Sequence, residues 1–296
     1  MRNYLMLIIA VLLQAVDFVF NKMYQKRSGS SLSAGLRFNA WIGLFTAIVF
    51  FIIHGILEGF SFPVTWFSVV MAAAMATFNL SYVLLGFQML SAGKMATYTL
   101  FLMTGGMMVP YVWGLFVLDE KFSLLRTAGL IVLILGVFLS NYQKGGLDKR
   151  YILLGVGVFL LNGAVSTVSQ MHQVETTFAA VTSTAFVMWV GITKMLRCAA
   201  ALLLLRKKPA TPGQIAPAPF RSVFYIFLGC ALVGGISYLL QLIGAQNLPA
   251  TILYPFITGG CIIVPALAGW LLYHEKLSKQ TILGIALCFA GTCMFL

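Results

Sequence analysis

Over 296 residues the chain is 60% hydrophobic and only 9% charged, with a mean hydropathy of +0.97. A soluble domain carries about a quarter of its residues as charge, and a globule of this size cannot hide so much apolar surface in one core. A soluble enzyme or binding protein is excluded, and the expected environment is a lipid bilayer. The net charge of +12 has to be explained within that setting.

Apolar stretches of roughly 18 to 25 residues, the length that crosses about 30 Å of hydrocarbon, fall at 4–21, 34–57, 65–89, 95–118, 124–142, 151–173, 181–205, 220–246, 251–273 and 280–296. The first, within MRNYLMLIIAVLLQAVDF, has the basic start and apolar run of a signal peptide. No small-x-small site follows it, however, and Gln14, Asp17 and Asn21 interrupt the place where cleavage would fall. It reads as the first spanning helix. The longest breaks, QKGGLDKR at 143–150 and RKKPATPGQIAPAP at 206–219, are too short to fold as domains.

Twelve lysines and arginines fall in the loops on one side: Lys22, Lys26, Arg27, Lys94, Lys144, Lys149, Arg150, Arg206, Lys207, Lys208, Lys276 and Lys279. The other side holds Arg2 and Lys121, with Arg126 added if the fifth helix starts late. This bias is a positive-inside signal that places both termini outside the cytoplasm of a plasma-type membrane. The basic excess is therefore a topology device, and no nucleic-acid partner is expected. The five cysteines sit in apolar runs with no CxxC pair and no histidine at ligand spacing, so they are expected to pack, not to bind metal.

Sliding the chain on itself by about 150 residues produces ordered coincidences, as sequence repeats require. Trp41 and Gly43 match Trp189 and Gly191, Ser81-Tyr82 matches Ser237-Tyr238, and Gly86 and Gln88 match Gly244 and Gln246. Ala96-Thr97 matches Ala250-Thr251, Thr104-Gly105-Gly106 matches Thr258-Gly259-Gly260, Pro110 matches Pro265, Glu120-Lys121 matches Glu275-Lys276, and Gly129 and Gly136 match Gly284 and Gly291. Five helices per copy is an odd number, so the second copy must enter the membrane from the opposite face. The expected fold is an all-α integral membrane protein of ten transmembrane helices in two inverted five-helix repeats. These are residues 1–142 and 151–296, joined by the loop 143–150 into one transport unit. Inverted repeats of this kind suit alternating access around a site at the midplane.

The stretch AGKMATYTLFLMTGGMMVPYVWGLFVLDEKFSLLRTAGLIVLILGVFLSN and its second-half copy resemble the EamA-type repeat of the drug/metabolite transporter superfamily. The shared features are a small-residue helix entry, a mid-helix proline, an acid at the helix exit and a following helix with paired glycines. The resemblance implies a ten-helix carrier whose cavity is lined by helices one to four and six to nine, with five and ten peripheral. Several relatives in that superfamily are described with cytoplasmic termini, whereas the loop charges here place them outside.

An ionisable group inside the bilayer is costly and is a functional candidate by default. Asp17, Lys194 and Arg197 lie within the spans, with Arg37 and Glu175 nearer helix ends. Gln14, Asp17 and Asn21 share one face of the first helix, and Asn162, Ser166, Ser169, Gln170 and Gln173 form the counterpart stripe on the sixth. Either stripe is read as cavity lining, with interhelical hydrogen bonding as the alternative. Asp17 and Lys194 each stand 13 residues from an expected helix start, about 20 Å in by the helical rise, so an ion pair between them is geometrically allowed. Arg197 would then remain to meet a carboxylate or phosphate, with snorkelling to the interface as its alternative. Tyr82 and Tyr238, with Gln241 one turn later, and Tyr254 are read as further lining; His172 is read as a loop-edge residue. Gly105, Gly106 and Pro110, with Gly259, Gly260 and Pro265, are expected to let helices four and nine cross and flex as gates.

The three histidines fall at separate helix ends and no two intramembrane acids stand at motif spacing, which argues against an intramembrane enzyme. A channel would need rings of like residues around an oligomeric pore. The expected function is secondary transport of a small polar metabolite, with a lean to one bearing an anionic group, in a monomer or weak homodimer. No cofactor is expected; the coupling ion is open, the proton being one candidate. The alternative is an exporter of organic cations or drugs with Asp17 as counter-charge.

Overall fold

A computed structural model describes residues 2–29, 31–91, 95–140, 149–205, 218–273 and 278–296, and among them the chain is helical with no strand. Ten helices follow in order: α1 (Arg2–Ser28), α2 (Leu32–Glu58), α3 (Trp66–Ser91), α4 (Met95–Phe116), α5 (Leu124–Ser140), α6 (Lys149–Val174), α7 (Ser183–Leu205), α8 (Phe220–Asn247), α9 (Ala250–Tyr273) and α10 (Lys279–Cys293). Seven of them are long and apolar enough to span a membrane. The chain is a multi-pass membrane protein. Boundaries agree with the hydropathy reading to within a few residues, except that α1 runs past the expected end at 21 to Ser28. Its last turns, carrying Lys22, Lys26 and Arg27, leave the apolar zone without losing helical hydrogen bonding. A hydropathy window marks where lipid ends, not where the helix does.

Helix starts are specified locally. Ser31 accepts the amide of Ala34 at 3.2 Å ahead of α2, and Ser278 accepts that of Thr281 at 3.1 Å ahead of α10, each occupying an otherwise orphaned first-turn donor. Gly59, which ends α2, has φ 98°, a conformation that glycine adopts at no steric cost.

Each helix packs on partners that come in exchange-related couples. α2 packs on α7, α5 on α10 and α4 on α9; the α1–α8 contact is matched by α6–α3, the α4–α6 contact by α9–α1, and α2–α8 by α7–α3. Several of the close approaches are glycine on backbone. A Cβ placed on Gly43 would lie 2.7 Å from the Gly191 carbonyl oxygen, and one on Gly191 would lie 2.8 Å from that of Gly43. On the α5–α10 pair, a Cβ on Gly129 would meet the Gly291 carbonyl at 3.0 Å, and one on Gly136 would meet that of Gly284 at 2.8 Å. The register fixes direction: as numbers rise along α5 they fall along α10, so the two run antiparallel. α2 and α7 do likewise, because His54 near the end of α2 bonds Thr184 at the start of α7.

Gly43→Ala places a methyl against backbone and forces α2 and α7 apart, which should cost about 1 to 3 kcal/mol. The expected readout is a lower melting temperature of the purified protein in detergent. Gly35→Ala on the same helix is the matched control: a Cβ there has nothing within 4 Å, and the melting temperature should hold.

Candidate functional site

A cavity of about 410 Å³ lies among α1, α2, α3, α6, α7 and α8. Its residues come from the middle of α1 (Gln14, Asp17, Asn21), the first half of α2 (Asn39, Thr46), the middle of α3 (Asn79, Tyr82), and the second half's α7 (Lys194) and α8 (Cys230, Tyr238). The expected lining by α4 and α9 is not found: among the described residues these two supply no side chain to the cavity. They pack outside α6 and α1 instead.

The first half makes a hydrogen-bonding wall. Asn21 Nδ2 donates to the Asp17 carboxylate at 3.0 Å and to its backbone carbonyl at 2.9 Å, and Gln14 Nε2 reaches the same carboxylate at 3.5 Å. Gly234 on α8 gives that carboxylate its room, since a Cβ there would lie 3.0 Å from Asp17 Oδ1. Asn39 Nδ2 donates to the Gly35 carbonyl at 2.9 Å and Asn79 Nδ2 to the Tyr82 hydroxyl at 2.8 Å. The second half makes a plainer wall of Val165, Val187, Val190, Gly234 and Gly235, broken by Lys194 and Tyr238. Asp17 and Lys194 share the cavity but do not approach within the 4.0 Å of an ion pair.

Of the residues read from the sequence as lining, Gln14, Asp17, Asn21, Tyr82, Lys194 and Tyr238 are brought together here. The others are not. Arg197 is exposed and lines no part of the cavity. Three residues fall about 60° short of a full helical turn, enough to carry it round from Lys194 to the outer side of α7. The α6 stripe binds neighbouring helices. Asn162 Nδ2 donates to the Leu102 carbonyl on α4 at 2.7 Å, Gln170 Nε2 donates to the Ala245 carbonyl on α8 at 3.0 Å, and the Ser166 carbonyl takes the Tyr254 hydroxyl at 2.6 Å. Gln241 donates to Ser237 at 3.3 Å, and Ser237 in turn donates to the Ala10 carbonyl at 2.7 Å. In hydrocarbon a polar side chain must find a partner, and for most of these it is an adjacent backbone.

The glycine motifs also act elsewhere than expected. Gly105 and Gly106 press on Phe159 and Asn162 of α6, while Gly259 and Gly260 press on Thr292 of α10 and Val11 of α1. α4 runs unbroken through Pro110. Pro265 lies within α9, but its side chain falls outside the described residues, as do Glu275 and Lys276.

Sequence reasoning missed Asn39 and Asn79, whose matched positions in the second half are Val187 and Gly235; asparagines inside spans 34–57 and 65–89 were the available signal. It also missed the burial of His172, which stacks between Phe186 at 3.6 Å and Phe67 at 5.8 Å between ring centroids. Its ring nitrogens bond Ser68 at 2.8 Å and Gln173 at 2.9 Å, so it ties α6 to α3. Among the described residues no group of three His, Cys, Asp or Glu side chains is arranged to hold a metal.

Two substitutions separate the classes. Gln170→Leu should lower stability by about 1 kcal/mol in thermal unfolding. Asn79→Ala should leave the melting temperature nearly unchanged while shrinking the shift that a bound ligand produces.

Residues 149–296, half of the chain, match the sequence pattern of the EamA-like transporter family. The whole chain has the fold of a solved protein described only as a crystal structure of a protein, with a TM-score of 0.76, 15% identity, and coverage of 99% of this chain and 96% of that one. At that identity the likeness extends to fold alone. No curated protein matches the sequence.

Proposed function

Because the chain belongs to the EamA-like transporter family, we propose that it is a secondary carrier that moves a small polar metabolite through the central cavity by alternating access. The observation that carries this reading is the cavity itself, which lies between the halves and gathers Asp17, Lys194, three asparagines and two tyrosines in the middle of a bundle built for lipid. Intramembrane charges of this kind mark substrate and ion pathways.

Inversion of the halves is supported by the antiparallel registers of α2 on α7 and α5 on α10 and by the exchange-related contacts. Two packed halves related in this way have two near-equal arrangements around one midplane site. The loop charges favour termini outside the cytoplasm of a plasma-type membrane. A coupling ion, the proton included, would have Asp17 as its carboxylate in the cavity.

Substrate charge turns on Lys194. An anionic group would meet its ammonium, the sole lysine or arginine lining the cavity among the described residues. A second reading, export of an organic cation or drug, is favoured by Asp17, whose carboxylate stands on the same cavity with two amides around it.

A metabolite library screened by thermal shift on the purified protein should yield ligands, because a molecule that binds the folded state alone raises the melting temperature. Flux of a labelled hit into proteoliposomes then decides function. Lys194→Ala should reduce saturable uptake of an anionic hit at least tenfold, whereas Arg197→Ala should leave it near wild type. Ohmic, non-saturating flux sinks the carrier reading. Full activity in Lys194→Ala combined with loss in Asp17→Asn transfers the assignment to a cation exporter.

A further inference from the structure

The link after α4 is shaped around one carboxylate. Val117 still closes a helical bond to the Trp113 carbonyl at 2.9 Å; the chain then turns back at Asp119, which has φ 50°, the left-handed region that is uncommon outside glycine. This turn brings the Glu120 amide to the Gly114 carbonyl at 3.0 Å and folds the Glu120 side chain over Gly114, where a Cβ would lie 2.7 Å from its Oε2. So placed, the carboxylate reaches the other half of the protein. Ala250 N donates to Oε1 at 2.6 Å, and Thr251 N and Oγ1 donate to Oε2 at 2.9 and 2.6 Å.

These amides are the first two of α9. The next two, of Ile252 and Leu253, are taken by the Pro249 carbonyl at 3.0 Å each. The first turn of α9 is thus fully paired, and half of its donors go to a residue 130 positions away. A carboxylate at a helix N-terminus also meets the positive end of the helix dipole, and bonds to an ionised acceptor are stronger than neutral ones. Nothing within α9 itself supplies an equivalent: Pro249 precedes it, and no serine or aspartate stands at its cap.

We propose that Glu120 is a gate latch, holding the entry of α9 against the exit of α4 and so closing the end of the bundle opposite the basic loops in the conformation described here. This rests on the alternating-access reading. Any opening that draws the entry of α9 in one half away from the exit of α4 in the other breaks these bonds and exposes two amide donors that only water or lipid headgroups can then satisfy. The latch therefore biases the resting protein toward access from the basic-loop side. In the sequence the same Gly-x5-Glu spacing recurs at Gly269 and Glu275, the latter outside the described residues.

The test is sided labelling of a cavity cysteine. Thr46→Cys, a near-isosteric change at a half-buried cavity position, is introduced into the full chain, and vesicles of each orientation are treated with a membrane-impermeant maleimide. Modified peptides are separated by mass spectrometry from those of the native cysteines. In the Glu120→Ala background, labelling from the side opposite the basic loops should rise about tenfold or more, the size expected from losing a hydrogen bond to a charged group. Glu120→Gln, which retains one acceptor oxygen and the side-chain shape, should give an intermediate rise and guards against a folding defect. Unchanged labelling from that side in both variants overturns the latch. Labelling from the basic-loop side in the Thr46→Cys chain tests the cavity reading separately: if it occurs and only the Glu120 effect is missing, the latch alone falls.

Discussion

A helix in hydrocarbon gains nothing by hiding leucine from lipid, so this bundle depends on places where backbones can touch. Those places are glycines. Gly43 against Gly191, Gly129 against Gly291 and Gly136 against Gly284 each set two main chains at a separation that any side chain would prevent. Packing of small residues is the usual means by which membrane helices associate. Here it joins α2 to α7 and α5 to α10.

Polar side chains then divide into two populations. One, with Asn162, Gln170, Ser237 and Tyr254, spends its hydrogen bonds on carbonyls of neighbouring helices and holds the frame that the glycines permit. The other, with Asp17, Asn39, Asn79 and Lys194, faces a shared space. The division is one of orientation and not of residue type. Gln170 is buried to 1% exposure while Gln14, of the same chemistry, lies on the cavity.

That division explains what the sequence made legible. Ten apolar stretches that prove helical, the glycine and proline coincidences and the polar face of α1 were all visible, because lipid imposes length and apolarity, like residues recur in the same order in both halves, and Gln14, Asp17 and Asn21 follow a helical period. What could not be read was rotation. Lys194 and Arg197 sit three residues apart on the same helix, yet the first lines the cavity and the second is exposed. The α6 stripe has the right period to line a cavity, and its members are instead bonded to α4, α8 and α9. Periodicity identifies a face but does not say which neighbour it meets. His172 was hidden for a related reason: the two rings that enclose it, Phe67 and Phe186, belong to other helices, α3 and α7.

The unequal cavity walls have a consequence for how such a protein changes. Asn39 and Asn79 stand at positions matched in the second half by Val187 and Gly235, so the two halves do not give the cavity the same chemistry. The glycine contacts that set the helix positions involve neither asparagine. Cavity chemistry and helix packing are therefore carried by different residues. A handful of exchanges on α2 and α3 would change the chemistry of the cavity while the packed scaffold is inherited unchanged.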